Sequence, residues 1–344
     1  MANFDAAVWN SLLQRAVAEN WSDIHLTSEQ MAFGRKDGRL FPLPQCPMRE
    51  EDLVHILTDM LDERQRGLLT EQGGLDFAWS WNGQRFRWNI FQQRGKLAAA
   101  VRIIPSKIPD LAELGYPAAL ADMADEQNGL LLVSGRTGAG KTTTLAAFID
   151  LINRSRSAHI ITLEDPVEYL HVSQQCLVQQ REFGIDFFSF ASALRSSLRQ
   201  DPDIILVGEL RDAETILTAL NAAETGHLVL GSLHTHNAAE AVLRIESMFP
   251  AGQQEQVRAQ LAIVLTGIFS QQLLPASDGG RVCAVEVLRA TPAVRNLIRT
   301  GKVQQLSSTM LSGLNIGMQT MEMAVERLRR QERITDETAR RYLR

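Results

Sequence analysis

Gly135-Arg136-Thr137-Gly138-Ala139-Gly140-Lys141-Thr142 is a complete G-x-x-x-x-G-K-[ST] sequence, preceded by the apolar run Leu130-Leu131-Leu132-Val133 and followed by the helix-like Thr143-Thr144-Leu145-Ala146-Ala147-Phe148. A strand, a glycine-rich turn and a helix N-terminus in that order make a phosphate loop, because backbone N–H groups encircle a phosphate only where no side chain blocks them. Lys141 would carry positive charge to the β- and γ-phosphates and Thr142 a hydroxyl to Mg²⁺, so residues Gly135 to Thr143 form the candidate nucleotide-binding segment. The alternative is an ordinary Gly-rich turn between strand and helix. The flanking strand and helix signals weigh against it.

Outward from the loop, helical and apolar segments alternate: a helix near 110–124, the strand before the loop, the helix after it, and a strand from Ala158 to Leu163. Ile204-Ile205-Leu206-Val207 and Leu228-Val229-Leu230-Gly231 are short, continuously apolar runs of the kind found in strands buried on both faces, with a helix-like Ala213 to Glu224 between them. This rhythm predicts an α/β fold built on a parallel sheet. From 252 onward the pattern reads as largely helical, interrupted by a Gly279-Gly280 hairpin and a strand from Arg281 to Leu288.

Polar groups stand at the C-terminal tips of these strands, where ligands bind in open α/β sheets. The strand Asp203 to Val207 leads through Gly208 to Glu209, a carboxylate placed to organise Mg²⁺ or polarise an attacking water; taken alone it would serve equally to cap the next helix. Ile160-Ile161-Thr162-Leu163-Glu164-Asp165-Pro166 repeats the design with adjacent carboxylates. Gly226 to His236 is a third such strand, with imidazoles at its tip. His234 and His236 alternate as a metal pair would, but no third ligand of zinc spacing accompanies them. A histidine that senses the γ-phosphate or its neighbouring carboxylate fits better.

Toward the N-terminus, residues 5–19 place Ala6, Val8, Leu12, Leu13, Ala16 and Val17 at helical spacing, and Ser22-Asp23-Ile24-His25-Leu26 then switches to the strand period. Asp37-Gly38 and Asn82-Gly83 punctuate the strands, the latter between Leu75 to Trp81 and Arg85 to Phe91, a type I′ hairpin signal. Between the hairpins, residues 50–71 read as two short helices. A further strand, Leu97 to Ile104, runs into Pro105-Ser106-Lys107-Ile108-Pro109, an extended connector. The expected division is a small α+β domain over 1–104, a linker over 105–110 and a second domain over 111–344.

The 344 residues, 45% hydrophobic and 22% charged, suit two globular domains, and a formal charge of −5 gives no global attraction to nucleic acid or anionic lipid. The end of the chain nevertheless concentrates Arg327, Arg329, Arg330, Arg333, Arg340, Arg341 and Arg344, which reads as a solvated helix face or, alternatively, a contact with a partner or acidic membrane. Cys46, Cys176 and Cys283 are far apart, implying neither a disulfide framework nor a zinc knuckle, and a reducing cytosol fits. Met1-Ala2-Asn3-Phe4-Asp5 lacks the features of a signal peptide, and no stretch reaches the roughly eighteen apolar residues of a membrane span. Membrane association is therefore expected only through a partner or a surface.

Taken together, four ordered motifs resemble the type II/IV secretion ATPases, and within them the PilT-like type IV pilus retraction motors, over nearly the whole chain. Gly135 to Thr142 stands as Walker A, Ile161 to Tyr169 as the acidic box, Asp201 to Asp212 as Walker B and Gly226 to His234 as the histidine box. The resemblance implies a RecA-like P-loop motor domain with a smaller N-terminal PAS-like domain, assembled as a homohexameric ring that uses ATP and Mg²⁺. It assigns Glu209 to the attacking water, Glu164 to the neighbourhood of Mg²⁺ and His234 to the γ-phosphate. Arg87 and Arg102 match positions from which the N-terminal domain supplies arginines to the nucleotide site, where guanidinium groups stabilise transition-state charge. The plainer reading of either arginine is an exposed strand residue.

Within the family, assembly ATPases of the PilB and GspE type carry a long extra N-terminal domain and a cysteine-ligated zinc insertion. Here the Ser22-to-Leu26 strand begins almost at once, and Leu273 to Arg281 passes directly where the insertion would lie. Ala293-Val294-Arg295-Asn296-Leu297-Ile298-Arg299 resembles the retraction branch's AIRNLIRE segment and is followed by Gly317-Met318-Gln319-Thr320-Met321; Thr300 replaces the final Glu, and the segment after Leu26 departs from the usual proline-containing form. The expectation is a cytoplasmic motor, peripheral at the inner face of the cytoplasmic membrane, acting on an inner-membrane pilus platform protein and through it on pilin, with no direct nucleic-acid partner. Alternatives are a pilus-assembly, type II secretion or DNA-uptake ATPase, or an accessory paralogue that binds ATP and hydrolyses little.

Overall fold

The computed structural model describes residues 6–36 and 38–343; Asp37 of the expected turn, the start Met1 to Asp5, and Arg344 lie outside the described residues. The chain divides into two units, Met1–Lys107 with Pro166–Tyr169, and Ile108–Asp165 with Leu170–Arg344.

In the first unit, helix α1 (Ala6–Ala18) precedes β1 (Asp23–Thr27), β2 (Gln30–Lys36) and β3 (Arg39–Met48). Helices α2 (Glu50–Met60) and α3 (Glu63–Gln72) follow, then β4 (Gly74–Trp81), β5 (Gln84–Gln93) and β6 (Lys96–Ile104). The strands form an antiparallel sheet ordered β3-β2-β1-β6-β5-β4. Asn82 (φ 48°) and Gly83 (φ 78°) form the two-residue turn between β4 and β5; both are left-handed, as a type I′ turn requires. Strict alternation along β5 buries Phe86, Trp88 and Ile90 in a core shared with Trp9, Leu13, Ile24 and Leu53, and sends Arg85 and Arg87 to the other face. On that face Arg87 stands directly opposite Arg102, and Arg102 opposite Asp23.

The second unit begins with a 3₁₀ helix, Ala118–Asp125, where the sequence pattern predicts an α-helix over 110–124. Gly115 turns with φ 83° and Pro117 enters with ψ 137°, so the backbone cannot sustain i-to-i−4 bonding through this stretch. Then come β7 (Gly129–Ser134), α4 (Lys141–Ser155), β8 (His159–Glu164), β9 (Leu177–Glu182), α5 (Phe190–Ser197), β10 (Ile204–Val207), α6 (Ala213–Glu224) and β11 (Leu228–Leu233). The chain continues through α7 (Ala238–Ser247), α8 (Ala251–Val264), β12 (Leu265–Pro275), β13 (Arg281–Arg289), α9 (Pro292–Arg299), α10 (Leu306–Ser312), α11 (Met321–Arg330) and α12 (Asp336–Tyr342).

The seven strands are ordered β13-β12-β7-β11-β10-β8-β9, and every neighbouring pair is parallel except β12 with β13. The continuous apolar runs are buried on both faces, as their composition predicts. Leu130, Leu132, Ile161, Leu163, Ile205 and Val207 join one core; Leu131, Val133, Ile160, Ile204 and Leu206, offset by one residue, join the other. Strand β12 corrects the helical reading of the region after 252: a long apolar segment without period does not by itself distinguish strand from helix. Strand β9 was not anticipated because Leu177-Val178-Gln179-Gln180-Arg181-Glu182, at the sheet edge, lacks the apolar run of its neighbours.

Helix α11 packs Ala324, Val325 and Leu328 with Val282 and Ala284 of β13. In the arginine-rich end Glu326 lies 2.7 Å from Arg329 and 3.1 Å from Arg330, and Arg329 reaches Asp336 at 3.1 Å. Arg329 and Arg330 hold the Glu326 carboxyl down to about 2. Arg327 donates to the Gly115 carbonyl at 2.8 Å. Among the described residues no helix is long and apolar enough to cross a membrane.

Candidate active site

The parallel order β7-β11-β10-β8 places the phosphate loop, the histidine segment, Glu209 and Glu164 in succession along one edge of the sheet, each just beyond or at the C-terminal end of its strand. Gly135 leaves β7 with φ 155°, and a Cβ there would lie 2.7 Å from the Gln271 carbonyl and 2.8 Å from the Ala139 side chain. Only glycine permits that approach. Behind the loop, Gln271 donates to the Ala139 carbonyl at 2.6 Å and accepts from the Tyr116 hydroxyl at 2.9 Å. The loop is thus braced from β12.

Lys141, the first residue of α4, is buried. Its ammonium donates to the carbonyls of Gly135 at 2.8 Å and Arg136 at 3.2 Å, and lies 3.3 Å from His234 Nδ1. An ammonium can only donate, so Nδ1 accepts and the proton of the neutral ring sits on Nε2. His234 Nε2 then faces Glu209 Oε1 at 3.2 Å, while Arg211 Nε holds Glu209 Oε2 at 2.8 Å. A continuous path therefore runs from Lys141 through His234 to Glu209. Burial lowers the pKa of Lys141, and the Glu209 charge opposes the shift. A second rung parallels the first, for Arg136 Nε donates to His236 Nδ1 at 3.3 Å.

Glu164 is buried at the end of β8. The Thr162 hydroxyl donates to its Oε1 at 2.7 Å and Gln180 Nε2 at 3.2 Å, while Gln180 accepts from the His171 amide at 2.8 Å. Asp165 lies 3.5 Å from Arg211, so that arginine spans both acidic strand ends. Thr142 and Thr143 follow Lys141 in the first turn of α4.

Arg87 and Arg102 belong to the first unit and are held there by carboxylates. Arg87 lies 3.3 Å from Glu168 and 3.7 Å from Asp76, and Arg102 lies 3.1 Å from Asp23. Two arginines opposed across adjacent strands repel each other, and these acids offset that repulsion. Each guanidinium keeps N–H donors beyond those these carboxylates use.

These residues fit a Mg²⁺ triphosphate. The backbone cradle closes only because Gly135 lacks a side chain, and Lys141 supplies the cation for the phosphates. Among the described residues no group of three or more His, Cys, Asp or Glu side chains is arranged to hold a metal. Mg²⁺ takes one or two protein groups and completes its shell with phosphate oxygens and water, a demand that a hydroxyl such as Thr142 and a carboxylate such as Glu164 can meet. Sequence reading missed Arg211, Gln180, Gln271 and Tyr116. Arg211 was legible as the second residue after Glu209; Gln180 and Gln271 sit on the two strands that the pattern did not reveal.

A family model described as "Type II/IV secretion system protein" matches residues 4–278. The chain is 48% identical to "Uncharacterized protein YggR" of Escherichia coli (strain K12), over 90% of this chain and 95% of that protein. It is 43% identical to "Type IV pilus retractation ATPase PilT" of Pseudomonas aeruginosa PAO1, over 96% of each. Among solved structures, "Pilus Retraction Motor PilT and Bound ADP" superposes with a TM-score of 0.87 at 46% identity, covering 96% of this chain and 95% of the other.

Proposed function

The chain belongs to the type II/IV secretion system protein family, and on that premise we propose that it is an ATP-hydrolysing motor that drives type IV pilus retraction. The observation that carries hydrolysis, beyond nucleotide binding, is the contact path from Lys141 through His234 to Glu209. It joins the phosphate-binding cation to a carboxylate able to take a proton from water. The extent of the likeness to the retraction ATPase, 96% of both chains, favours retraction over assembly.

In this reading the loop amides and Lys141 hold the phosphates, and Glu209 orients the attacking water and accepts its proton. His234, neutral and donating through Nε2, keeps Glu209 in register with Lys141; when phosphate charge takes the Lys141 ammonium, the ring is released toward the γ-phosphate. Thr142 and Glu164 would hold Mg²⁺ with the nucleotide. When bound, that ion would offset negative charge on the β- and γ-phosphate oxygens. Thr162 and Gln180 keep Glu164 in place.

The wider reading is a homohexameric ring, cytoplasmic and peripheral at the inner face of the membrane, acting on an inner-membrane platform protein and indirectly on pilin. Arg87 and Arg102 complete the nucleotide site in it. With ATP present, the purified chain is expected to size as a hexamer, and Arg87→Ala to bind ATP as the wild type does while hydrolysing about tenfold slower or worse. Unchanged turnover would remove Arg87 from the site, and a persistent monomer at high concentration would remove the ring.

A further inference from the structure

Beneath the loop lies a buried carboxylate that the reaction just described does not use. Glu286, on β13, is 5% exposed, and it is bonded from another element. The amide of Ala238, first residue of α7, donates to Oε1 at 2.8 Å. The register of β12 and β13 sets Ser270 directly opposite Glu286. Ser270 in turn accepts from Ser134, the last residue of β7, at 2.9 Å, and both serines are fully buried.

The donor of the 2.8 Å bond is a helix N-terminus, whose dipole favours negative charge. Burial raises the pKa of Glu286 and nearby Glu322 adds to the rise, while the Ala238 amide pulls the other way. What the carboxylate joins gives it consequence. Ser134 immediately precedes Gly135 of the phosphate loop, and Ala238 follows His234 by a short segment. Glu286 thus stands under both halves of the Lys141–His234 contact, one reached through Ser270 and Ser134 and the other through α7.

Resting on the ATPase reading above, we propose that Glu286 is a positioning residue of the nucleotide site. Its carboxylate fixes the phosphate loop and the histidine segment in mutual register. Nucleotide affinity depends on the loop's own amides and Lys141, whereas turnover also needs His234 and Glu209 correctly set against them; a misplacement of about 1 Å can cost ~10²-fold in rate. Loss of the carboxylate should therefore act on kcat and spare binding.

The test uses the full-length protein, with Kd from a fluorescent ATP analogue and kcat from phosphate release, for wild type, Glu286→Gln, Ser270→Ala and the double variant. Glu286→Gln is expected to bind within about threefold of wild type and turn over about tenfold slower, Ser270→Ala to lose a smaller factor in kcat alone, and the double variant to be no slower than Glu286→Gln. Unchanged kcat, parallel losses in Kd and kcat, or additive effects of the two substitutions would overturn the inference. Should Glu286→Gln not fold, Ser270→Ala decides: its kcat must fall at unchanged Kd. A folded wild type with no turnover would instead sink the ATPase reading, and this inference with it.

Discussion

Glu209→Gln is expected to leave ATP bound and turnover lost, by about 10²-fold or more, the usual contribution of a positioned general base. Glutamine preserves shape and volume, so packing at the end of β10 is unaffected. It does not preserve the contacts. The Glu209 carboxylate accepts on one oxygen from His234 and on the other from Arg211, and an amide can accept only on its single oxygen. Its NH₂ must then face a donor, and no group remains to take the proton of water. Phosphate release should fall to background while a fluorescent ATP analogue titrates as with wild type. If the wild type turned over no faster than Glu209→Gln, the chain would instead be a nucleotide-binding scaffold.

Lys141→Ala should remove nucleotide binding itself. Charge-assisted hydrogen bonds are worth roughly 1.5–3 kcal/mol, and about 1.4 kcal/mol is a factor of ten, so ATP affinity should drop on the order of 10²-fold. The substitution also leaves the carbonyls of Gly135 and Arg136 and the Nδ1 of His234 without the donor they now share. Affinity should depend on pH through the same residue. Only the ammonium form binds phosphate as a cation, and burial has lowered the Lys141 pKa, so affinity falls on the alkaline side at a lower pH than an exposed lysine would dictate. Glu209→Gln, which removes the charge opposing that shift, should move the fall lower still. Titrations across pH check both statements; an alkaline limb retained by Lys141→Ala would assign it to another group.

How far the sequence reached depended on whether a signal was local. The phosphate loop, Glu164, Glu209 and His234 were legible because each sits at or just beyond a strand whose apolar run declares it, and parallel order then brings those strand ends to one edge. Gln271 was not legible, since its brace on Ala139 joins residues far apart in the chain and lies on β12, an apolar segment without a strand period. Gln180 escaped for the opposite reason: an edge strand buried on one side looks polar. The 3₁₀ stretch from Ala118 was misread because Gly115 and Pro117 act on the backbone while the apolar spacing continues past them. Glu286 carries no motif, and its role follows only from the Ala238 amide and the Ser270–Ser134 pair that folding gathers around it.

The central claim is that ATP hydrolysis by this chain drives pilin disassembly. It is tested most directly by deleting the gene in its host, restoring either wild type or Glu209→Gln, and counting surface pili. The account requires pili to accumulate in the deletion and with Glu209→Gln, and to return to the starting number with wild type. Loss of pili in the deletion would contradict it and assign the motor to assembly.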